Sequence, residues 1–433
     1  MRFPMWAGLG AVLAAGLAVQ LAALRGMGRR RPVGDEAAYL EGAAARDPGA
    51  PPPQRFLRPP VLPWLAALCL RGVPPDRGES RLRGLMAAAS VLTVAATAAA
   101  GWRLGGPELA LAASLLLAAQ PERIVLGCHI WPDTLLALLL AALAVTVTFP
   151  AEPAALLAAG VLAALGALVR IDFLVVPPLL LAGWAAGAGP PLSLSAACLL
   201  LPALLALAAL SVRNHRRWGI LLPDTTWAFN LMVMGAEAAG LDGPGPFAFD
   251  PVVHRAFTSW TSLDLAAGPG QGLASLRRTV RSPRRLAHGI VRRLLTLAGP
   301  DTFVRQKLLP ASGAYPDLGE RARRRWGAAL RAAFPALLTV VLATAVAGRR
   351  APAPHAWPAL GLLGVAALFH ARTRYRVAAL PALSLLAAEG LLRTGARLSA
   401  RPWEAVPLLL AAGLLFWALL RIRCSAELPG EEV

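Results

Sequence analysis

The sequence predicts an all-α protein, a polytopic transmembrane bundle of about eleven helices, and three observations carry that prediction. Hydrophobic residues make up 57% of the 433 and charged residues only 15%, where a soluble domain carries roughly a quarter charged. Apolar runs approaching the roughly 20 residues of a membrane-crossing helix recur along the chain. These runs are continuous rather than alternating, which argues against a β-barrel. The hydrophobic content excludes disorder and a collagen-like fibre. The four cysteines, Cys69, Cys128, Cys198 and Cys424, show no CxxC or Cys/His ligand spacing. Neither a disulfide scaffold nor a zinc site is therefore expected.

In chain order, the first run spans Pro4 to Leu24 without a charge and reads as a retained first helix rather than a signal peptide. Residues 25–83 follow as a polar, proline-rich connection. Within it Val61 to Leu70 is apolar but too short to span, so it is expected in the interface or packed on the spans. Further runs cover 84–102, 109–120, 134–149, 153–169, 173–189, 191–212, 332–348, 356–370, 377–392 and 405–420. A second gap, 213–328, mixes aromatic, glycine-rich and basic stretches, with an amphipathic helix expected near 272–298. The chain thus divides into an N-terminal transmembrane module (1–212), a large loop region (213–328) and C-terminal transmembrane helices (329–433). No internal repeat is visible, which disfavours transporters built from inverted repeats.

The formal charge is +19, and Lys307 is the single lysine among 43 basic residues. A coding bias toward Ala, Gly, Pro and Arg explains this, as does affinity for lipid phosphate, which guanidinium recognises with paired hydrogen bonds. Membrane lipids are expected partners and nucleic acid is not, because no soluble basic domain is large enough to carry it.

Candidate chemistry begins just after the first helix, with Asp35, Glu36 and then Tyr39. An acid pair is costly near hydrocarbon and so suggests a role, such as a general base on an acceptor hydroxyl. The plainer alternative is that Asp35 caps a helix beginning at Glu36, with Glu36 complementing the helix dipole. Arg58-Pro59-Pro60 follows, then His129, Trp131-Pro132-Asp133, and Arg213-Asn214-His215 with Gly219, Pro223, Asn230, Leu231 and Gly235. The last cluster is His370 with Arg372, Arg374, Tyr375, Arg376 and Pro381. Arg372 to Arg376 also reads as a helix-end cluster contacting headgroups. Arg170 and Asp172, two apart and so not on one helical face, read as interfacial anchors or, alternatively, as residues lining a cavity, and Trp64, Trp131 and Trp218 as members of aromatic belts.

In this order the four segments resemble the GT-C membrane glycosyltransferases, in particular the protein O-mannosyltransferase and lipid A aminoarabinose transferase group. The resemblance covers residues 34 to 390. It implies transfer of a sugar, with inversion, from a polyprenyl-phosphate donor to a lipid, glycan or protein acceptor outside the cytoplasm of a bacterial inner membrane. Asp35 would be the general base, with Glu36 and Asp133 orienting substrate or holding a divalent cation if one is used. Arg58, Arg374 and Arg376 would face the lipid phosphate, and Tyr39, His129, His370 and Tyr375 would line the substrate site. A lipid-linked glycan flippase, or a scaffold whose large loop binds a partner, are readings of other classes.

One expectation pulls against the resemblance. Residues 25–83 contain eleven arginines, and the positive-inside rule places such a loop in the cytoplasm. The resemblance requires it outside.

Overall fold

The computed structural model describes residues 3–26, 35–44, 57–149, 152–185, 192–226, 281–301, 303–309, 317–348, 356–369 and 373–422, with positions 32, 230, 274, 277 and 315. Among these every ordered element is helical: α1 Phe3–Gly26, α2 Asp35–Ala44, α3 Val61–Leu70, α4 Pro75–Ala118, α5 Pro121–Leu126, α6 Pro132–Thr146, α7 Pro153–Val169, α8 Val176–Ala185 and α9 Leu192–Trp218. Then come α10 Pro283–Ala298, α11 Phe303–Leu308, α12 Glu320–Gly348, α13 Ala356–Phe369, α14 Leu380–Ala400 and α15 Ala405–Leu420. Each apolar run of the sequence overlaps one of these helices, 84–102 and 109–120 both falling on α4. The expected short helix after Pro60 is α3, and the expected amphipathic helix is α10.

Six described helices are long and apolar enough to cross a membrane, and four shorter apolar helices accompany them. Residues that no protein neighbour covers support a lipid environment. On α15, Val406, Leu409, Leu410, Leu414 and Trp417 are all more than half exposed, a face no aqueous surface would favour. The core is correspondingly inside the bundle, where Leu62, Leu82, Met86, Leu117, Leu126 and Trp131 are closed off. Burial of Trp131, at 1%, corrects the expectation that it belongs to an aromatic belt; Trp64, 38% exposed, fits that expectation better.

Two local features set the packing. Helix α4 is two arms joined at Gly105–Gly106, where Gly106 has φ +83°, a conformation that side chains oppose. Pro107, which lacks an N–H, then starts the second arm without losing a hydrogen bond. Where α7 crosses α9, a Cβ on Gly160 would lie 1.9 Å from the Cys198 carbonyl oxygen. Only glycine permits that approach, the usual device by which membrane helices gain dispersion contact.

Candidate active site

The site is built where helices begin, because helix starts bring charged side chains to the membrane boundary without burying them at its centre. Asp35 and Glu36 occupy the first turn of α2, favoured there by the helix dipole. Asp133 occupies the first turn of α6, behind Pro132. Arg170 terminates α7 in an extended conformation (φ −159°, ψ 126°), and Asp172 lies in the 3-10 turn Ile171–Val175 that follows. Arg374, Tyr375 and Arg376 lie in a second 3-10 turn, Thr373–Ala379, leading into α14.

These pieces converge into an alternating ladder of charge. Arg58 Nη2 donates to Asp35 Oδ1 at 2.9 Å, and Arg374 Nη2 donates to Asp35 Oδ2 at 2.7 Å. Arg374 Nε approaches Asp133 Oδ2 at 3.9 Å, and neither of those two atoms has a hydrogen-bond partner. Arg170 Nη1 donates to Asp133 Oδ1 at 2.9 Å, and its Nε donates to Asp172 Oδ1 at 2.9 Å. The ring of Tyr375 lies between two guanidiniums, 4.1 Å from that of Arg170 and 5.2 Å from that of Arg374.

The ladder borders a cavity of about 440 Å³. Tyr39, Arg58, Arg170, Asp172, Arg374 and Tyr375 supply its polar wall, and Leu174, Val175, Val365 and Ala366 an apolar one. Asp224 and Asn230 close it from the entry to the large loop region. Burial raises the Asp224 carboxyl above the usual carboxylate range, against the hydrogen bond it accepts from the Thr226 amide at 2.7 Å. Among the ladder carboxylates Asp35 is the most open, 30% exposed against 19% for Asp172 and 0% for Asp133.

Other expected site residues lie beneath this wall. Glu36 is fully buried, its Oε1 accepting from Arg83 Nη1 at 3.0 Å and the Ile130 amide at 2.9 Å, with His129 Nδ1 at 3.2 Å. His129 Nε2 meets the Tyr315 hydroxyl at 2.5 Å, and its ring stacks on Trp131. Arg376 is fully buried too. Its Nε donates to Glu122 Oε2 at 2.9 Å, its Nη2 pairs with Glu122 Oε1, and its Nη1 donates to the carbonyls of Leu297 and Gly299 at 2.9 and 2.5 Å. Burial pushes the Glu122 carboxyl up to about 7, against the lowering effect of Arg376. Glu36, His129 and Arg376 are therefore not at the cavity wall, while Asp35, Tyr39, Arg58, Asp133, Arg374 and Tyr375 are at it or directly behind it. His370, Arg372 and Gly235 lie outside the described residues.

Arg170 and Asp172, for which the sequence left interfacial anchoring and cavity lining open, both line the cavity. Two residues apart they would not share a helical face, but the extended break at Arg170 turns both into the cavity. Asp224 was not singled out by the sequence at all. Among the described residues no group of three or more His, Cys, Asp or Glu side chains is placed to hold a metal ion. Glu36 and Asp133, the pair the resemblance would assign to a cation if one is used, accept from Arg83 and Arg170 instead, so this donor set as placed does not fit one.

No family model and no curated protein matches the chain. Among solved structures it is similar to the Archaeoglobus fulgidus oligosaccharyltransferase in the apo form, at 14% identity and TM-score 0.49, covering 98% of this chain and 55% of that one. The same enzyme has been solved in complex with Zn and sulfate (14% identity, TM-score 0.45, 94% and 53% covered). The chain thus spans about half the length of that enzyme. ArnT from Cupriavidus metallidurans bound to undecaprenyl phosphate is similar at 17% identity and TM-score 0.39, over 90% of this chain and 79% of that one.

Proposed function

We propose that the chain is a GT-C-type membrane glycosyltransferase that moves a hexose or pentose from a polyprenyl-phosphate donor to an extracytoplasmic lipid, glycan or protein acceptor, with inversion. The observation that carries the reading is the ladder Arg58–Asp35–Arg374–Asp133–Arg170 at a cavity with one apolar wall. Such a wall suits a prenyl chain, and the guanidiniums suit its phosphate.

Asp35 is the base, because its carboxylate is the most open. The acceptor hydroxyl attacks the anomeric carbon and gives its proton to Asp35, while the bond from that carbon to the phosphate oxygen breaks. The phosphodiester, with one negative charge, leaves as a monoester carrying up to two. Protonation of Asp35 removes the counter-charge of Arg58 and Arg374 at that moment. Their positive charge is then available to the departing phosphate, and fixed charge that matches what develops in the transition state is the strongest form of catalysis. Asp133 holds Arg374 and Arg170 in place, Tyr39 and Tyr375 shape the pocket, and Glu36, His129 and Arg376 position the elements from below. No step requires a divalent cation.

The test is an Asp35→Asn variant, purified and supplied with polyprenyl-phosphate sugars. Loss of transfer with unchanged folding is expected; full activity would refute the base. Retained substrate movement across the membrane without bond formation would favour the flippase reading. Sidedness is tested separately with Ala37→Cys, an exposed position on α2, in a background lacking the four native cysteines. Labelling of intact cells by an impermeant maleimide is expected, and labelling only after lysis would put the site in the cytoplasm.

A further inference from the structure

A second cavity, about 460 Å³, lies away from the ladder between α11 and the start of α12. Its wall carries Arg305, Arg323, Arg324 and Arg331 beside Leu308 and Leu309, and no carboxylate lines it. We propose that it binds the phosphate headgroup of an anionic phospholipid.

Three observations support the proposal, and the second favours a lipid over a soluble anion. The volume falls in the ordinary range for ligand pockets, roughly 300–1,000 Å³. The polar start of α12, Glu320 to Arg331, continues directly into an apolar span that ends near Ala345, so the cavity sits at headgroup depth. Arg324 and Arg331 are seven residues apart, two helical turns, and therefore share one face about 10 Å apart along the axis. Basic pockets beside membrane helices bind anionic lipid headgroups.

The wall is also built rather than incidental. Arg323 donates from Nε to the Leu318 carbonyl at 2.6 Å, from Nη1 to that of Leu308 at 2.7 Å and from Nη2 to that of Tyr315 at 2.7 Å. It fixes the connection between α11 and α12 while keeping its charge in the cavity. Arg324 pairs with Glu320, but both are three-quarters exposed, so the pair is weak and readily exchanged for phosphate.

The experiment places the full-length protein in nanodiscs of phosphatidylglycerol or phosphatidylcholine and measures the unfolding midpoint. Phosphatidylglycerol is expected to raise it by roughly 2–4 °C. Arg305→Gln with Arg331→Gln should abolish the rise, whereas Arg77→Gln with Arg81→Gln, an exposed pair outside the cavity, should not. Equal loss in both variants would mean a general charge effect and overturn the site. The same rise from inorganic phosphate in phosphatidylcholine discs would overturn the lipid assignment. Should the first variant not fold, native mass spectrometry of the wild-type protein decides. Retained phosphatidylglycerol over phosphatidylcholine supports the site, and no preference refutes it. None of these outcomes depends on the transferase reading.

Discussion

Asp35 and Glu36 are neighbours in sequence, yet one carboxylate is 30% exposed beside the cavity and the other is fully buried. Arg374 and Arg376 divide in the same way, Arg374 toward the ladder and Arg376 into a sealed pair with Glu122. Each motif thus gives one group to an open wall and one to a closed bed beneath it. The cause is geometric. Consecutive residues of a helix point about 100° apart, and residues two apart in a 3-10 turn about 240°. What the division teaches is that a motif can contain a reactive group and the fastening that aims it.

The two regions should therefore respond differently to substitution. The largest effect is expected from Asp35→Asn in the open wall. Transfer should fall by about 10²–10⁴, with an unfolding midpoint close to that of the wild type; a large loss of stability instead would move Asp35 into the bed. Arg376→Met in the bed should do the reverse, because leaving Glu122 buried without its partner costs about 3–5 kcal/mol. Detergent-solubilised protein would show it as early unfolding, and a stable but inactive variant would return Arg376 to the wall. Arg374→Gln should lower kcat by about 10², as expected for removing one charge-stabilising donor, with little change in stability. A pure rise in KM would mean that it binds donor and transition state equally.

A smaller effect concerns pH. Burial holds the Glu122 proton more tightly folded than unfolded, with the folded value raised to about 7 from an ordinary 4.5. Stability from this group is thus complete below about 4.5 and lost as pH rises through 7. The unfolding midpoint should decline across that window, and Glu122→Gln should flatten the decline; an unchanged slope in the variant would assign the effect to another group. Smallest of all, Arg393→Gln breaks an exposed helical pair with Glu389 and should change stability by less than about 0.5 kcal/mol. A larger change would show that even pairs outside both regions carry the fold.

The sequence by itself determined the helices. Unbroken apolar runs have one stable form in lipid, because every backbone N–H and C=O must be satisfied within the segment. It also determined where charge would gather, since Asp35, Asp133 and Arg374 stand at or beside helix starts, where prolines and helix dipoles mark the boundary. The tertiary structure alone decided which of these charges meet. Arg374 reaches Asp35 across 339 positions, and Arg376 reaches Glu122 across 254. No local pattern encodes such pairings, because they follow from which helix faces pack together. Arg170 and Asp172 show the same limit over two residues. The sequence places them between apolar runs without a shared helical face, and a single extended residue at the end of α7 turns both charges into the cavity.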